Sequence, residues 1–286
     1  MAERVRIDGK WQVTEQVGAL DILAERTGLP RQRIKDAMAK GAVWLIQRGR
    51  QRRLRRVRHL LQAGDSVAIY YDSQVLQASV PAPVLVADRG NFSVWDKPPG
   101  MLSQGSPYGD HLSLLRWLES AGFPKRQHFL VHRLDREASG VMVVAHQRGV
   151  AADLSAQLQA RTTEKGYQVE VRLDDDRRSQ LASGEVWTLD APLDGKAAVT
   201  RVMLAQPAGD GLPDLLDIRI ETGRKHQIRR HLAGAGYPVL GDPRYSNAQT
   251  RAPGLRLRAV SLAFRAPGEG DELRFTVAGL RDQAPL

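Results

Sequence analysis

The run Val131-His-Arg-Leu-Asp-Arg-Glu-Ala-Ser-Gly-Val141 constrains this chain more than any other stretch. Apolar, β-forming residues lie on either side, Phe129 to Val131 and Val141 to Ala145. The small residues Ala138-Ser139-Gly140 supply a turn between them. Asp135 follows His132, Arg133 and Leu134. The expectation is a carboxylate held on a turn between two strands, beside an arginine able to meet a phosphate or a base. An aspartate in such a turn is more often structural than catalytic when taken alone, so its role rests on what surrounds it.

At 286 residues the chain has room for two domains, or for one large domain with an appendage. It contains no cysteine. That excludes a disulfide scaffold, a thiolate nucleophile and a Cys-ligated zinc, and it fits a reducing compartment. His226 and His231 are five apart and do not share a helix face as zinc ligands do, so no metal is expected. The charged start, Met1 to Arg6, leads into no apolar segment, and no run approaches the ~18 residues that span a bilayer. A cytoplasmic protein without a membrane partner is expected. The net charge of +10 is unevenly spread: residues 1–80 carry 15 Lys and Arg against 8 Asp and Glu. A polyanion contacting that segment is the natural partner, against the plainer reading of a solvated basic face.

The chain reads as two domains, 1–80 and 84–286, joined by Val80-Pro-Ala-Pro83. In the first, Leu20, Leu23 and Ala24 form one helical face that Gly28 ends. Pro30 opens a second helix, Arg31 to Lys40, with Ile34, Ala37 and Met38 inward and Gly41 as its cap. The strand Ala42–Ile46 follows, then a basic loop, Arg48–Arg58, with seven arginines, then the strand Val67–Tyr71. This order resembles a degenerate S4 RNA-binding fold. Arg31, Arg33 and Lys35 on the second helix, and Arg52, Arg53, Arg55 and Arg56 in the loop, are its candidate phosphate contacts, because guanidinium groups bond phosphate bidentately. The rest is mostly strands: 84–87, 92–95, 129–134, 141–145, 167–173, 201–205, 216–221, 257–264 and 273–277. Helices are expected near 112–121, 150–160 and 226–235. The fold class is α+β, with a mixed, largely antiparallel sheet in the large domain and a small α+β domain before it.

A second chemical signal lies at Gly223-Arg-Lys-His-Gln-Ile-Arg-Arg-His-Leu232. Thr222-Gly223 breaks a strand, a helix begins near His226, and no acid occurs between Thr222 and Gly241. Four cations at a helix start make an anion site, against the plainer reading of a basic surface helix. Ile228, Leu232 and Arg229 are close on the helix surface, so one arginine points coreward and needs a carboxylate there. Asp135 is the candidate. Competing chemistry is missing: there is no G-x-x-x-x-G-K-[ST] loop, no G-x-G-x-x-G after a strand, and Ser139 sits in no nucleophile elbow.

Three runs in order, His132-Arg-Leu-Asp135, Lys165-Gly-Tyr167 and Gly223-Arg-Lys-His-Gln-Ile-Arg229, resemble the motifs of the RluA family of RNA pseudouridine synthases over about residues 84–286. Ala138 departs from the Thr or Ser usual there. The resemblance implies a catalytic domain of pseudouridine synthase type that isomerises uridine in RNA without a cofactor. It implies Asp135 as the catalytic carboxylate, Arg229 as its partner, Tyr167 stacked on the target uracil, and Arg133 filling the gap the flipped base leaves. It also implies large-subunit rRNA as substrate, with tRNA as the alternative. Apart from the resemblance, a monomer is expected. Two other classes stand beside it: a non-catalytic RNA-binding protein on the same fold, and a nucleoside hydrolase using Asp135.

Overall fold

The computed structural model describes residues 3–120, 126–209, 211–246, 250–268 and 270–282. They form two units. The first holds the chain up to Val80 together with the segment from Leu102, and the second holds Pro81–Met101 together with the chain from Arg126 onward.

The first unit comprises β1 (Arg6–Gln12), β2 (Val17–Gly18), α1 (Ala19–Thr27), α2 (Arg31–Ala39), β3 (Val43–Gln47), β4 (Arg50–Arg53), β5 (Leu60–Leu61), β6 (Ser66–Asp72), α3 (Ser73–Gln77) and α4 (Leu114–Ser120). Its main sheet runs β1-β6-β3-β4. Gly28 closes α1 in the left-handed conformation, and its N–H donates to the Ala24 carbonyl. The inner faces of α1 and α2 bury Leu23, Ile34 and Met38 with Leu45, Val67 and Ile69 of the sheet.

Two expectations change here. The basic run is not a plain loop. Arg48 and Gly49, both at positive φ, make a two-residue turn, and Arg50–Arg53 return antiparallel along β3. The large domain was expected to run unbroken from 84, yet residues 102–120 pack with the first unit. The cause is the arginine run itself. Arg53 Nε lies 3.1 Å from Asp110 Oδ2, Arg55 pairs with the same carboxylate, and the Trp44 indole N–H donates to the Pro107 carbonyl at 3.1 Å. Ala121, the last residue of the helix expected at 112–121, lies outside the described residues.

The second unit comprises β7 (Val84–Asp88), β8 (Phe92–Lys97), β9 (Phe129–Leu130), β10 (Ser139–Ala145), α5 (Arg148–Ala160), β11 (Glu164–Val171), α6 (Asp175–Ala182), β12 (Trp187–Leu189), β13 (Thr200–Gln206), β14 (Asp214–Ile220), α7 (Gln227–Gly234), β15 (Leu257–Arg265) and β16 (Glu272–Thr276). The sheet runs β12-β13-β14-β11-β15-β10-β8-β7, with β9 paired to β10 and β16 to β15. β10 and β15 are parallel, and the other pairings of this sheet among the described residues are antiparallel. The fold is α+β with a mixed, largely antiparallel sheet. No helix among the described residues is long and apolar enough to cross a membrane.

The β10–β15 contact requires a glycine. Gly140 has φ +115° and faces Ala259, whose carbonyl oxygen would stand 2.0 Å from any added Cβ. Only a residue without Cβ lets the two backbones close at that point. The strand before the turn is shorter than expected. β9 ends at Leu130 because the next hydrogen bond along β10, from the Val143 N–H, goes to the His132 imidazole Nε2 at 3.0 Å. The chain is released from the ladder there, and residues 131–138 can loop.

Just past β10, His146 is buried in a chain of polar contacts. The Trp95 indole N–H donates to Ser93 Oγ at 2.7 Å, Ser93 Oγ lies 2.8 Å from His146 Nε2, and His146 Nδ1 lies 3.1 Å from the Gln127 carbonyl. This pattern suits a neutral imidazole. Burial pushes the His146 pKa down to about 4; Arg126 and His128 act the same way, and the Gln127 carbonyl opposes them. Between 6.5 and 4 the unfolded chain binds a proton that the folded chain does not. Stability from this group is therefore complete above pH 6.5 and declines towards pH 4, by at most about 1.4 kcal/mol per pH unit. Urea unfolding of His146→Gln at pH 7.5 and pH 5 should show a smaller difference than the wild type. An equal difference would remove His146 as its source.

Candidate active site

Asp135 lies on the loop between β9 and β10, in the wall of a cavity of about 640 Å³ that Tyr167, Arg133, His226, Ile228 and Leu257 also line. Its carboxylate is 21% exposed, enough to meet a ligand in the cavity. Leu134 beside it is buried and anchors the loop.

The cation that meets Asp135 comes from α7. This helix buries Ile228 and Leu232 together with Arg229, whose side chain is only 1% exposed. Arg229 NH1 donates to Asp135 Oδ2 at 2.8 Å. Its Nε and NH2 donate to the two oxygens of Asp242, at 2.7 and 2.8 Å. Asp242 is itself buried and also accepts from the backbone N–H groups of Arg244 and Tyr245. Burial alone would raise the Asp242 pKa, but the Arg229 guanidinium and these two N–H groups outweigh it and hold the carboxyl below the usual range. Burial opposes the charge on Arg229 as well, yet hydrogen bonds to Asp242 and Asp135 raise its pKa above the ordinary value. The Tyr245 ring lies under the guanidinium at 5.3 Å.

A second buried cation holds the other side of the loop. The Lys97 Nζ lies 3.0 and 2.8 Å from the carbonyls of Pro98 and Met101, and 2.6 and 3.4 Å from those of Ala138 and Arg136. It clamps the turn after β8 to the loop that carries Asp135. Burial pushes its pKa down to about 7, against Glu137, Asp135 and Asp96, which favour the ammonium. Ala138, lacking the hydroxyl usual at its position, contributes its carbonyl to this clamp.

Tyr167 enters the cavity from β11, at a register shift between Gly166 and Tyr167. Such a bulge turns a side chain out of strict alternation. Tyr167 is mostly buried, and burial followed by the Asp135 charge raises its phenol pKa. Arg133 is exposed and makes no ion pair among the described residues. Asp135, Arg229, Tyr167 and Arg133 thus share one cavity. Among the described residues no group of three or more acidic or histidine side chains is placed to hold a metal ion.

The basic residues of the first unit divide. Arg33, Lys35, Arg52 and Arg56 are exposed, and Arg31 is exposed but paired with Asp21 at 2.6 Å. Arg53 and Arg55 turn inward to Asp110 and to backbone carbonyls, and Arg53 also covers the Trp44 ring at 4.4 Å.

The sequence reading passed over Lys97, His226, Asp242 and Tyr245. Two of them had visible signals. Gly241-Asp242-Pro243 is a sharp turn in an acid-free basic region, and Lys97 precedes two prolines and a glycine.

The sequence profile of the RNA pseudouridylate synthase family matches residues 91–234. The chain belongs to this family. It is 32% identical to an uncharacterised RNA pseudouridine synthase of Chloroflexus aurantiacus, over 71% of each chain. It is 28% identical to the ribosomal large subunit pseudouridine synthase C of Salmonella typhi, over 86% of this chain and 84% of that one. The human RNA pseudouridylate synthase domain containing 1 shares the fold, with a TM-score of 0.56 and 21% identity over 70% of this chain and 85% of its own. The protein is accordingly an isomerase acting on RNA, of the RluA type.

Asp242→Asn leaves the buried Arg229 with Asp135 as its hydrogen-bonded carboxylate and Glu137 at 3.9 Å. Removing one partner of a buried ion pair costs about 3–5 kcal/mol. Urea unfolding should register that loss. Single-turnover isomerisation should slow by roughly 10²-fold, the scale of a misplaced catalytic group, with RNA affinity kept within severalfold. Unchanged turnover would mean that Asp242 does not position the site.

Proposed function

We propose that Asp135 carries the isomerisation of a uridine flipped out of structured RNA, with large-subunit rRNA as the substrate. The observation that carries this reading is the aimed carboxylate: Oδ2 is fixed by a buried arginine while the group faces a cavity lined by Tyr167. A base inside a helix stack cannot be detached and rotated in place, so it must leave the stack at a cost of a few kcal/mol. The Tyr167 ring, mostly buried in the cavity wall, recovers about 1–3 kcal/mol by stacking on the uracil. Arg133, exposed and without an ion pair among the described residues, fills the vacated position in the RNA.

The N1–C1′ bond then breaks, the uracil rotates, and C5 bonds to C1′. A carboxylate serves such a step as nucleophile or as base. Product and substrate are isomers, so nothing is oxidised or reduced and no group is added. The large-subunit assignment is supported by the relative named as a large-subunit synthase.

In this reading the first unit is an S4-like grip on the RNA backbone, using Arg33, Lys35, Arg52 and Arg56. These exposed cations have the freedom that Arg53 and Arg55 lack.

Asp135→Asn should abolish pseudouridine formation while RNA affinity stays within severalfold, and near-normal turnover would sink the assignment of Asp135. Mapping of pseudouridine by carbodiimide adducts, with and without the gene, should show a site lost from large-subunit rRNA. A site lost from tRNA instead would replace the substrate and leave the chemistry.

Arg52→Gln combined with Arg56→Gln should weaken RNA binding and flatten the slope of log affinity against log salt by about 1–2, the release expected from two phosphate contacts. The same substitutions at Arg53 and Arg55 should instead lower the unfolding midpoint. An unchanged slope in the first pair would show that this hairpin does not touch RNA.

A further inference from the structure

Isomerising uridine moves one proton. The base loses the hydrogen on C5 and gains one on N1, so the site needs a group that accepts a proton on one side of the exchange and gives it back on the other. Asp135 is engaged with the sugar or the ring, and its Oδ2 is taken by Arg229. The buried Tyr167 phenol holds its own proton more firmly than a free tyrosine does. Of the two imidazoles in the cavity wall, His132 spends its Nε2 accepting the Val143 N–H, which leaves His226.

His226 caps α7 in the left-handed conformation, φ 53° and ψ 31°. Histidine adopts that region at a cost, and such strain collects at functional positions. The backbone geometry directs the imidazole to two partners. Nε2 stands 3.7 Å from Asp135 Oδ1, the carboxylate oxygen that Arg229 leaves open. Nδ1 stands 3.0 Å from the Tyr245 hydroxyl, and the two rings meet edge to face at 5.8 Å. Tyr245 is tied to the same framework, since its backbone N–H donates to Asp242 at 3.1 Å. The charged groups around the imidazole are Asp135, Arg229, Arg244 and Lys225. Burial disfavours the imidazolium, Asp135 favours it, and the three cations disfavour it; the balance lowers the pKa. The ring is therefore unprotonated at neutral pH and free to accept. Once charged at Nε2 it would face a carboxylate.

We propose that His226 is a second catalytic group of this site, the base whose Nε2 takes the C5 proton of the newly C-linked uracil and returns it to N1. The C5–H bond breaks towards Nε2, and its electron pair forms the C5=C6 bond. The C6=N1 pair moves onto N1, and N1 takes the proton from the imidazolium. C5 and N1 flank C6 on one edge of the ring, so one nitrogen can serve both. The histidine ends neutral, and no oxidant, reductant or co-reactant is needed. The Tyr245 hydroxyl holds the ring through Nδ1 and can accept the Nδ1–H in the tautomer whose Nε2 is free.

The proposal rests on Asp135 being the catalytic carboxylate, and the test separates the two. His226→Asn is the variant of choice, because asparagine tolerates the left-handed conformation. Single-turnover rates are measured on RNA carrying uridine or 5-deuterouridine at the target. The expected result is a rate lower by roughly 10²-fold or more, RNA affinity within severalfold of wild type, and a 5-deuterium isotope effect larger than that of the wild type. The decline in rate that protonation of His226 imposes at acid pH should also vanish. Wild-type turnover, or slowed turnover with no larger isotope effect, overturns the proposal. Should His226→Asn fail to fold, Tyr245→Phe decides by the same criterion, with a smaller loss of rate. Residual activity in Asp135→Asn would overturn the reading of the site itself. A dead Asp135→Asn beside a fully active His226→Asn would overturn only the role of His226.

Discussion

The site depends on one buried guanidinium. Arg229 is withdrawn from water, and a charge in that position persists only if it is matched and its donors are bonded. Asp242 supplies the match, oxygen for oxygen, and is itself held by two backbone N–H groups. What is left over is NH1, whose direction the guanidinium plane fixes once Asp242 has taken the other side. That leftover donor is the one that meets Asp135. The Asp135 carboxylate is thus aimed by a pair on the opposite side of the arginine, and the rigidity of the bidentate contact passes through the planar group to its Oδ2.

The loop bearing Asp135 is fixed at both ends by different means. Upstream, the His132 side chain takes the backbone donor that would otherwise have prolonged β9, which ends the strand and starts the loop. Downstream, Gly140 lets β10 and β15 approach closely, and Lys97 gathers the carbonyls of Arg136 and Ala138. Each device replaces an ordinary strand hydrogen bond or side-chain contact with something more specific. The outcome is an irregular segment with little freedom, which holds the part-buried Asp135 carboxylate in the cavity wall.

Much of this was legible in the residues, and the parts that were not have a common cause. Asp135 on a turn and Arg229 turned coreward follow from local pattern, β-forming residues around small ones and an apolar helical stripe with an arginine inside it. The strands that alternate or run apolar were legible for the same reason. The helix α6 was not, since Asp174 to Ala182 offers only Leu181 as a buried residue and is held by its Asp174 cap rather than by an apolar face. Lys97, Asp242 and Tyr245 act on groups elsewhere in the sequence, and the turns visible at Lys97 and Asp242 do not say which group each serves. His226 stood inside a recognised motif, but its left-handed backbone, which decides where the ring points, has no signature in composition.

The arginine run shows how far charge alone can be taken. Counted along the chain, Arg48 to Arg58 is a block of uncompensated positive charge, and that is what suggests a polyanion. In the folded unit Asp110, distant in sequence, pairs with both Arg53 and Arg55, Arg53 covers the Trp44 ring, and both arginines bond backbone carbonyls. A β-hairpin sends alternate side chains to opposite faces, so half of a basic strand can be structural while the other half remains in solvent. Arg50 and Arg52 are on the outward side, and Arg56 follows them beyond the strand. The part of the charge available to phosphate is therefore smaller than the sequence count. What such a run offers a polyanion follows from which side chains stay exposed, not from net charge.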